Sequence, residues 1–276
     1  MIKIDLEMPF NLENTLTCGQ IFRFYKQIDN SYDVILDDRV INVIEKENKL
    51  YVTSNDEDNL KEKIIEYFDL NTDYEEIGNI LVNKDKKIES SVLFSKGLKI
   101  INQQPFETII EYIISANNSV NSIANAINNI SKKYGKKVIF KDKEYYLFPN
   151  YADLKDVSIE EYRECKVGFR DRYIYEMVQK LNNKEFKIEE IYNLNTEEAL
   201  KYLMNNIGIG PKVASCILLF SYKRYDVFPI DTWVKKVMKE RYNISTEEKM
   251  RKFSKEIYGE YCGLAIQYLF NESRNK

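Results

Sequence analysis

The chain is predicted to be an α+β protein, with an N-terminal antiparallel sheet domain over residues 1–95 and a mostly α-helical region over residues 96–276. Three observations predict this. Residues 20–54 run in short apolar-polar segments broken by Asp-Asn, Asp-Asp and Glu-Asn pairs, the pattern of strands joined by tight turns. Beyond the lysine-rich stretch NKDKKIESS, apolar residues recur at helical spacing instead. At 276 residues, 44% hydrophobic and 31% charged, the chain also has the length and balance of a globular protein with a sizeable core.

Taken in order, QIFRFYKQ, YDVILD, RVINVIE and KLYVTS read as an antiparallel meander. EDNLKEKIIEYF then puts Leu60, Ile64 and Tyr67 or Phe68 on one helical face, suited to packing on the sheet. In the second region FETIIEYIIS is strongly apolar, and SVNSIANAINNISKKYG carries Ile123, Ile127, Ile130 and Tyr134 before a glycine cap. RDRYIYEMVQKL repeats that spacing. NTEEALKYLMNN opens on Asn195 with Glu198 three residues on, a capping-box start. Further helices begin at Pro211 and at Thr232, and EEKMRKFSKEIYGEYCGLAIQYLF supplies two more.

Composition excludes several chemistries. No run approaches the ~18–20 apolar residues of a membrane helix, and MIKIDLEMPF lacks the layout of a signal peptide. A cytoplasmic monomer with no membrane or obligate protein partner is expected, nucleoid-associated in a prokaryote. Cys18, Cys165, Cys216 and Cys262 are scattered without a C-x-x-C pair, and histidine is absent, so the chain cannot build an ordinary zinc site or the clustered ligands of an iron–sulfur centre. Without histidine there is no Ser-His-Asp or Cys-His nucleophile, so catalysis must use lysine, carboxylates, hydroxyls or thiols. The net charge of −3 hides an uneven distribution: residues 1–100 hold 13 Lys and Arg against 20 Asp and Glu, whereas residues 201–255 hold 12 against 5. A local excess of +7 survives an acidic remainder that lies more than a Debye length of about 8 Å away, so this region is a candidate polyanion surface.

That basic region contains NNIGIGPKVASC, residues 205–216. Two glycines two apart, then a proline at a first helical position, describe a helical hairpin spanning about 196–222. The amides of Gly208 and Gly210, with the free N–H groups of the next helix, form an anion site that would fit a phosphate, and a monovalent or divalent cation at the hairpin backbone is also compatible. The plainer reading is a helix cap, a turn and a solvated Lys212. Nineteen residues after Lys212, FPIDTWVKK sets Asp231 ahead of a helix and of the dibasic pair Lys235 and Lys236, further candidates for phosphate contact. Asp231 is a good N-cap, and capping would fix a catalytic carboxylate in place rather than compete with that role.

LMNNIGIGPKVASCILL followed by VFPIDTW resembles the helix-hairpin-helix DNA glycosylases with the Gly/Pro-Asp loop, and among them the 8-oxoguanine DNA glycosylases. CGQIFRF at 18–24, IISANNS at 113–119, VGFRDRY at 167–173 and LAIQYLF at 264–270 extend the resemblance along most of the chain. It implies a TATA-binding-protein-like sheet domain and two helical subdomains around a cleft, and double-stranded DNA containing 8-oxoguanine as partner. It further implies Lys212 as nucleophile, Asp231 as catalytic carboxylate, and Gly19 as the carbonyl that accepts the N7 hydrogen of the lesion. Cys216 and Phe270 would sandwich the flipped base, Phe169 would wedge into the duplex, and Asn117 and Arg170 would hold the orphaned partner base. Phe169 and Phe270 sit in apolar contexts where an aromatic is ordinarily core.

The chemistry agrees. A lysine amine attacks an anomeric carbon only when neutral, and partial burial at a helix N-terminus favours that form. Cys216, one helical turn beyond Lys212, would line the same pocket. A carboxylate such as Asp231 can stabilise the cationic sugar as the base leaves. Two positions depart from the family pattern: Ile266 stands where a glutamine usually reads the base, with Gln267 one residue later, and Ser122 stands where a second arginine would meet the orphaned base. Two alternatives stay open: a glycosylase of the same superfamily for another damaged base, and a non-catalytic helix-hairpin-helix module that only grips DNA.

Overall fold

The period-two alternation near the N-terminus folds, in the computed structural model, which describes residues 1–275, as a five-stranded antiparallel sheet. Strands β1 (Ile2–Asp5), β2 (Phe24–Lys26), β3 (Tyr32–Ile35), β4 (Val40–Lys46) and β5 (Lys49–Ser54) stand in the order β1-β5-β4-β3-β2. Helix α1 (Leu12–Thr17) lies between β1 and β2, and α2 (Leu60–Tyr67) follows β5. The predicted meander is β2 to β5, with QIFRFYKQ contributing only its last turn of strand. β1 adds an edge to it, Ile2 opposite Val52 and Ile4 opposite Leu50.

Val34, Ile41, Val43, Leu50 and Val52 pack with Leu16, Leu60, Ile64 and Phe68, so α1 and α2 cover one face of the sheet. The other face of β3 and β4 is covered too. Ile35 and Val40 pack on Val138, Phe140, Tyr145 and Leu147 of a second sheet, the hairpin β6 (Lys137–Phe140) and β7 (Lys143–Tyr146). This hairpin is the strand content of a region expected to be mostly α-helical, and no reading of the sequence placed it. Its turn residues Lys141 and Asp142 both adopt positive φ, 49° and 60°, as a two-residue hairpin requires. Lys-Asp is a much weaker hairpin signal than Asn-Gly, and each strand is only 4 residues long.

The helices are α3 (Tyr74–Lys84), α4 (Glu89–Phe94), α5 (Pro105–Ser115), α6 (Val120–Tyr134), α7 (Ile159–Glu164), α8 (Asp171–Asn182), α9 (Thr196–Met204), α10 (Pro211–Ser221), α11 (Thr232–Tyr242), α12 (Glu247–Ile257) and α13 (Cys262–Asn275). NKDKKIESS runs from the end of α3 through a 3-10 turn into α4. The apolar α5 is the central helix: Phe106, Ile109, Ile110, Ile113 and Ile114 are buried, and it packs on α10. The predicted Asn195–Glu198 capping box opens α9. Polar ties join the two regions. Arg23 donates to Glu107 at 2.6 Å and to the Tyr146 carbonyl at 2.7 Å, and Asp69 accepts from the Tyr74 and Tyr225 hydroxyls at 2.7 and 2.5 Å.

Candidate active site

The hairpin between α9 and α10 begins where α9 closes on Asn205. Gly208 follows at φ +82°, and a Cβ there would stand 2.7 Å from the Tyr173 ring, so both backbone and space demand glycine. Gly210 is the N-cap of α10, and Pro211 takes its first position. Around Gly210 a Cβ would meet nothing within contact distance, which leaves the helix N-terminus open to an approaching anion. Lys212 therefore stands in the first turn of α10, half-buried.

Its Nζ donates to Ser115 Oγ at 3.2 Å and lies 5.0 Å from the centroid of the Tyr112 ring, both on α5. Cys216, one turn further along α10, is buried. Burial pushes its thiol up, so Cys216 is a neutral wall and not a thiolate. Asp231 caps α11, accepting the Val234 N–H at 2.8 Å, which fixes its carboxylate.

Lys212, Cys216 and Phe220 of α10, Asp231 and Val234 at the start of α11, Tyr112 of α5, Gly19, Pro229, and Ile266, Gln267 and Phe270 of α13 line one cavity of about 60 Å³. That is room for on the order of four waters. Gly19 has φ +86°. The turn carrying it is held from several sides: Gln267 donates to the Cys18 carbonyl at 3.1 Å, and the Gln20 side chain bonds Thr15, Lys99 and Ile101 of the main chain. Burial lifts the Cys18 thiol to about 11, so it too is neutral. A larger cavity of about 450 Å³ lies between the sheet edge and α6, lined by residues such as Tyr25, Lys132 and Tyr145. None of the candidate residues lines it, so size is no guide to the chemistry here.

The other candidates lie outside the cavity. Phe169, on a 3-10 turn before α8, is 60% exposed, contrary to the ordinary core reading of such an aromatic. Arg170 departs from the expectation of a free base reader: it is buried, and its guanidinium donates to the carbonyls of Ala116, Asn117 and Val167. It thereby holds the loop on which exposed Asn117 sits at φ 52°. Ser122 is exposed in the first turn of α6, where its N–H meets the Ser119 cap. Lys235 pairs with Glu247 at 2.7 Å, and Lys236 lies 5.7 Å from the Trp233 ring centroid, both on the exposed side of α11. Sequence reading missed Tyr112, Ser115, Phe220 and Gln20, all inside helices or blocks already singled out but with no chemical mark of their own. Among the described residues no helix is long and apolar enough to cross a membrane, and no cluster of three or more His, Cys, Asp or Glu could hold a metal ion.

Residues 1–109 match the 8-oxoguanine DNA glycosylase N-terminal domain, and residues 110–260 match the HhH-GPD superfamily base excision DNA repair protein. The chain is 31% identical over 237 residues to a probable N-glycosylase/DNA lyase of Methanothermobacter thermautotrophicus, covering 78% of this chain and 75% of that one. It is 29% identical over 283 residues to the N-glycosylase/DNA lyase of Saccharomyces cerevisiae, covering 92% and 73%. A crystal structure of Clostridium acetobutylicum 8-oxoguanine glycosylase/lyase, in complex with double-stranded DNA containing cytosine opposite 8-oxoguanine, superposes with a TM-score of 0.93 at 38% identity, over 97% of this chain and 93% of that one.

Proposed function

The chain belongs to the HhH-GPD superfamily of base excision DNA repair proteins, and from that premise we propose that it is a bifunctional 8-oxoguanine DNA glycosylase and abasic-site lyase. The observation that carries the reading is the meeting of one amine and one carboxylate, Lys212 and Asp231, in a cavity whose lining thiol, Cys216, is neutral. A module that only grips DNA needs neither.

The flipped lesion enters between Cys216 and Phe270, with the Gly19 carbonyl accepting its N7 hydrogen. Neutral Lys212 Nζ attacks the sugar C1′ as the bond to the base breaks, and the base leaves with the bonding electron pair. Asp231 stabilises the positive charge that builds on the sugar and helps move the amine proton. The resulting imine acidifies the hydrogen on C2′, and its removal expels the 3′ phosphate, nicking the strand. Gly208, Gly210, Lys235 and Lys236 hold backbone phosphates, while exposed Phe169 fills the gap left in the duplex. Arg170 acts at the orphaned base through the Asn117 loop that it holds. The protein works without an obligate protein partner, in the cytoplasm.

A second reading, excision of a different damaged base, is favoured by Ile266, an apolar side chain where base recognition calls for hydrogen bonds. Duplexes carrying 8-oxoguanine or unmodified guanine separate the readings. Release of 8-oxoguanine with a strand nick, and guanine left in place, is expected; intact DNA under tight binding would leave only the gripping module, and comparable release of guanine would favour the other lesion.

A further inference from the structure

Ile266, Phe270 and Arg274 follow one another at intervals of four along α13 and so share a face of that helix. Ile266 and Phe270 line the cavity, and neither offers a hydrogen-bond donor there. Arg274 stands at its rim. Its Nη1 lies 2.5 Å from where a Cβ on Gly19 would be, and its guanidinium carbon is 5.9 Å from the centroid of the Phe270 ring. Guanidinium, Gly19 backbone and Phe270 ring thus meet at one corner.

The helix around Arg274 is fixed. Asn271 donates to Ser95 Oγ at 3.0 Å, and Glu272 accepts from Arg241 at 2.8 Å and from Ser91. The guanidiniums of Arg23, Arg39, Arg170 and Arg241 all donate to carboxylates, hydroxyls or main-chain carbonyls. Arg274 is half-buried, yet its donors have no hydrogen-bond or ion-pair partner among the described residues. A guanidinium has five N–H groups and no acceptor, and a partly desolvated one calls for an acceptor from outside the protein.

We propose that Arg274 is a specificity-determining residue, donating to a carbonyl oxygen of 8-oxoguanine beside the N7 hydrogen that Gly19 accepts. This rests on the function proposed above. The edge of that base presents an acceptor (O6), a donor (N7–H) and a second acceptor (O8). The Gly19 carbonyl matches the donor and leaves the flanking oxygens in need of donors. Arg274 is the group at that corner with donors to give, and it restores the polar reading that Ile266 omits.

The test compares wild type with Arg274→Met and Arg274→Lys in three assays: single-turnover release of 8-oxoguanine, nicking of a preformed abasic site, and affinity for a duplex bearing a baseless tetrahydrofuran site. The Met variant should release 8-oxoguanine roughly tenfold or more slowly, while nicking and baseless-site affinity stay within about twofold, and Lys should recover part of the loss. Equal loss in all three assays would assign Arg274 a structural role and overturn the inference. So would weaker binding to every duplex with a salt slope shallower by about one, which marks a phosphate contact. Failure of the wild type itself to release 8-oxoguanine would instead sink the proposed function.

Discussion

At the scale of single residues, the proposed site places its chemistry on ordinary structural positions. Asp231 caps α11 through the Val234 N–H, and an asparagine there would still cap. Asp231→Asn should therefore keep its thermal midpoint while base release falls by several orders of magnitude; a loss below tenfold, about 1.4 kcal/mol, would reduce Asp231 to a cap. Gly19 is constrained by φ +86°, whereas Arg274 Nη1, 2.5 Å from a would-be Cβ, ends a flexible side chain that can move aside. Gly19→Ala should abolish 8-oxoguanine release, and adding Arg274→Met should not restore it, because the backbone strain remains. Ser122 bonds its own helix cap and is too short to replace a guanidinium fork. Single-turnover release opposite C, T, G and A should accordingly show a cytosine-over-adenine ratio below about a hundredfold; a larger ratio would mean that another residue reads the partner base.

At the scale of elements, the hairpin and the turn before α8 form the surface that meets DNA in this account. Phe169 is 60% exposed, meets Tyr173 edge-on at 6.1 Å and has the Arg170 guanidinium 4.3 Å from its ring centroid, so Phe169→Ala should cost at most about 1 kcal/mol of stability while slowing base release. Unchanged release would remove the wedge role. Affinity should fall with salt at a log–log slope of about −0.9 per phosphate neutralised, despite the net charge of −3, and a flat response would exclude the hairpin region as a phosphate grip. Elements also show what sequence could reveal. Lys212 and Cys216 were legible because both lie one turn apart on a single helix. Ser115 and Tyr112 were not, since Ser115 reaches Lys212 from 97 residues away and packing alone joins α5 to α10. Arg170 was legible as an arginine in a telling block, but not as a clamp on main-chain carbonyls.

Across the whole molecule, the cavity draws on both ends of the chain: Gly19 from the first region, Lys212 and Asp231 from the second, and Gln267 of the last helix bonded back to Cys18. The sheet's meander and the long amphipathic helices were readable from period alone. β1 and the β6–β7 hairpin were not: β1 is completed by pairing with the distant β5, and β6–β7 by packing on Ile35 and Val40 of the first sheet, neither of which a local period shows. Packing the regions together also buries charge. Burial, with the Glu107 charge beside it, holds the Glu111 carboxyl well above the usual range. The folded state thus retains a proton that the unfolded chain releases above about pH 4.3, so this group opposes folding increasingly as pH rises through that value. Glu111→Gln should raise the denaturation midpoint at pH 7 and converge with wild type below about pH 4; an equal difference at both would contradict it. Borohydride reduction of the protein mixed with an 8-oxoguanine duplex, followed by peptide mapping, reports whether Lys212 becomes bonded to the sugar. Wild type should give a covalent adduct on the peptide carrying Lys212, and Lys212→Gln should give none while still binding the lesion duplex. An adduct mapped elsewhere, or formed equally by Lys212→Gln, would mean that another residue is the nucleophile.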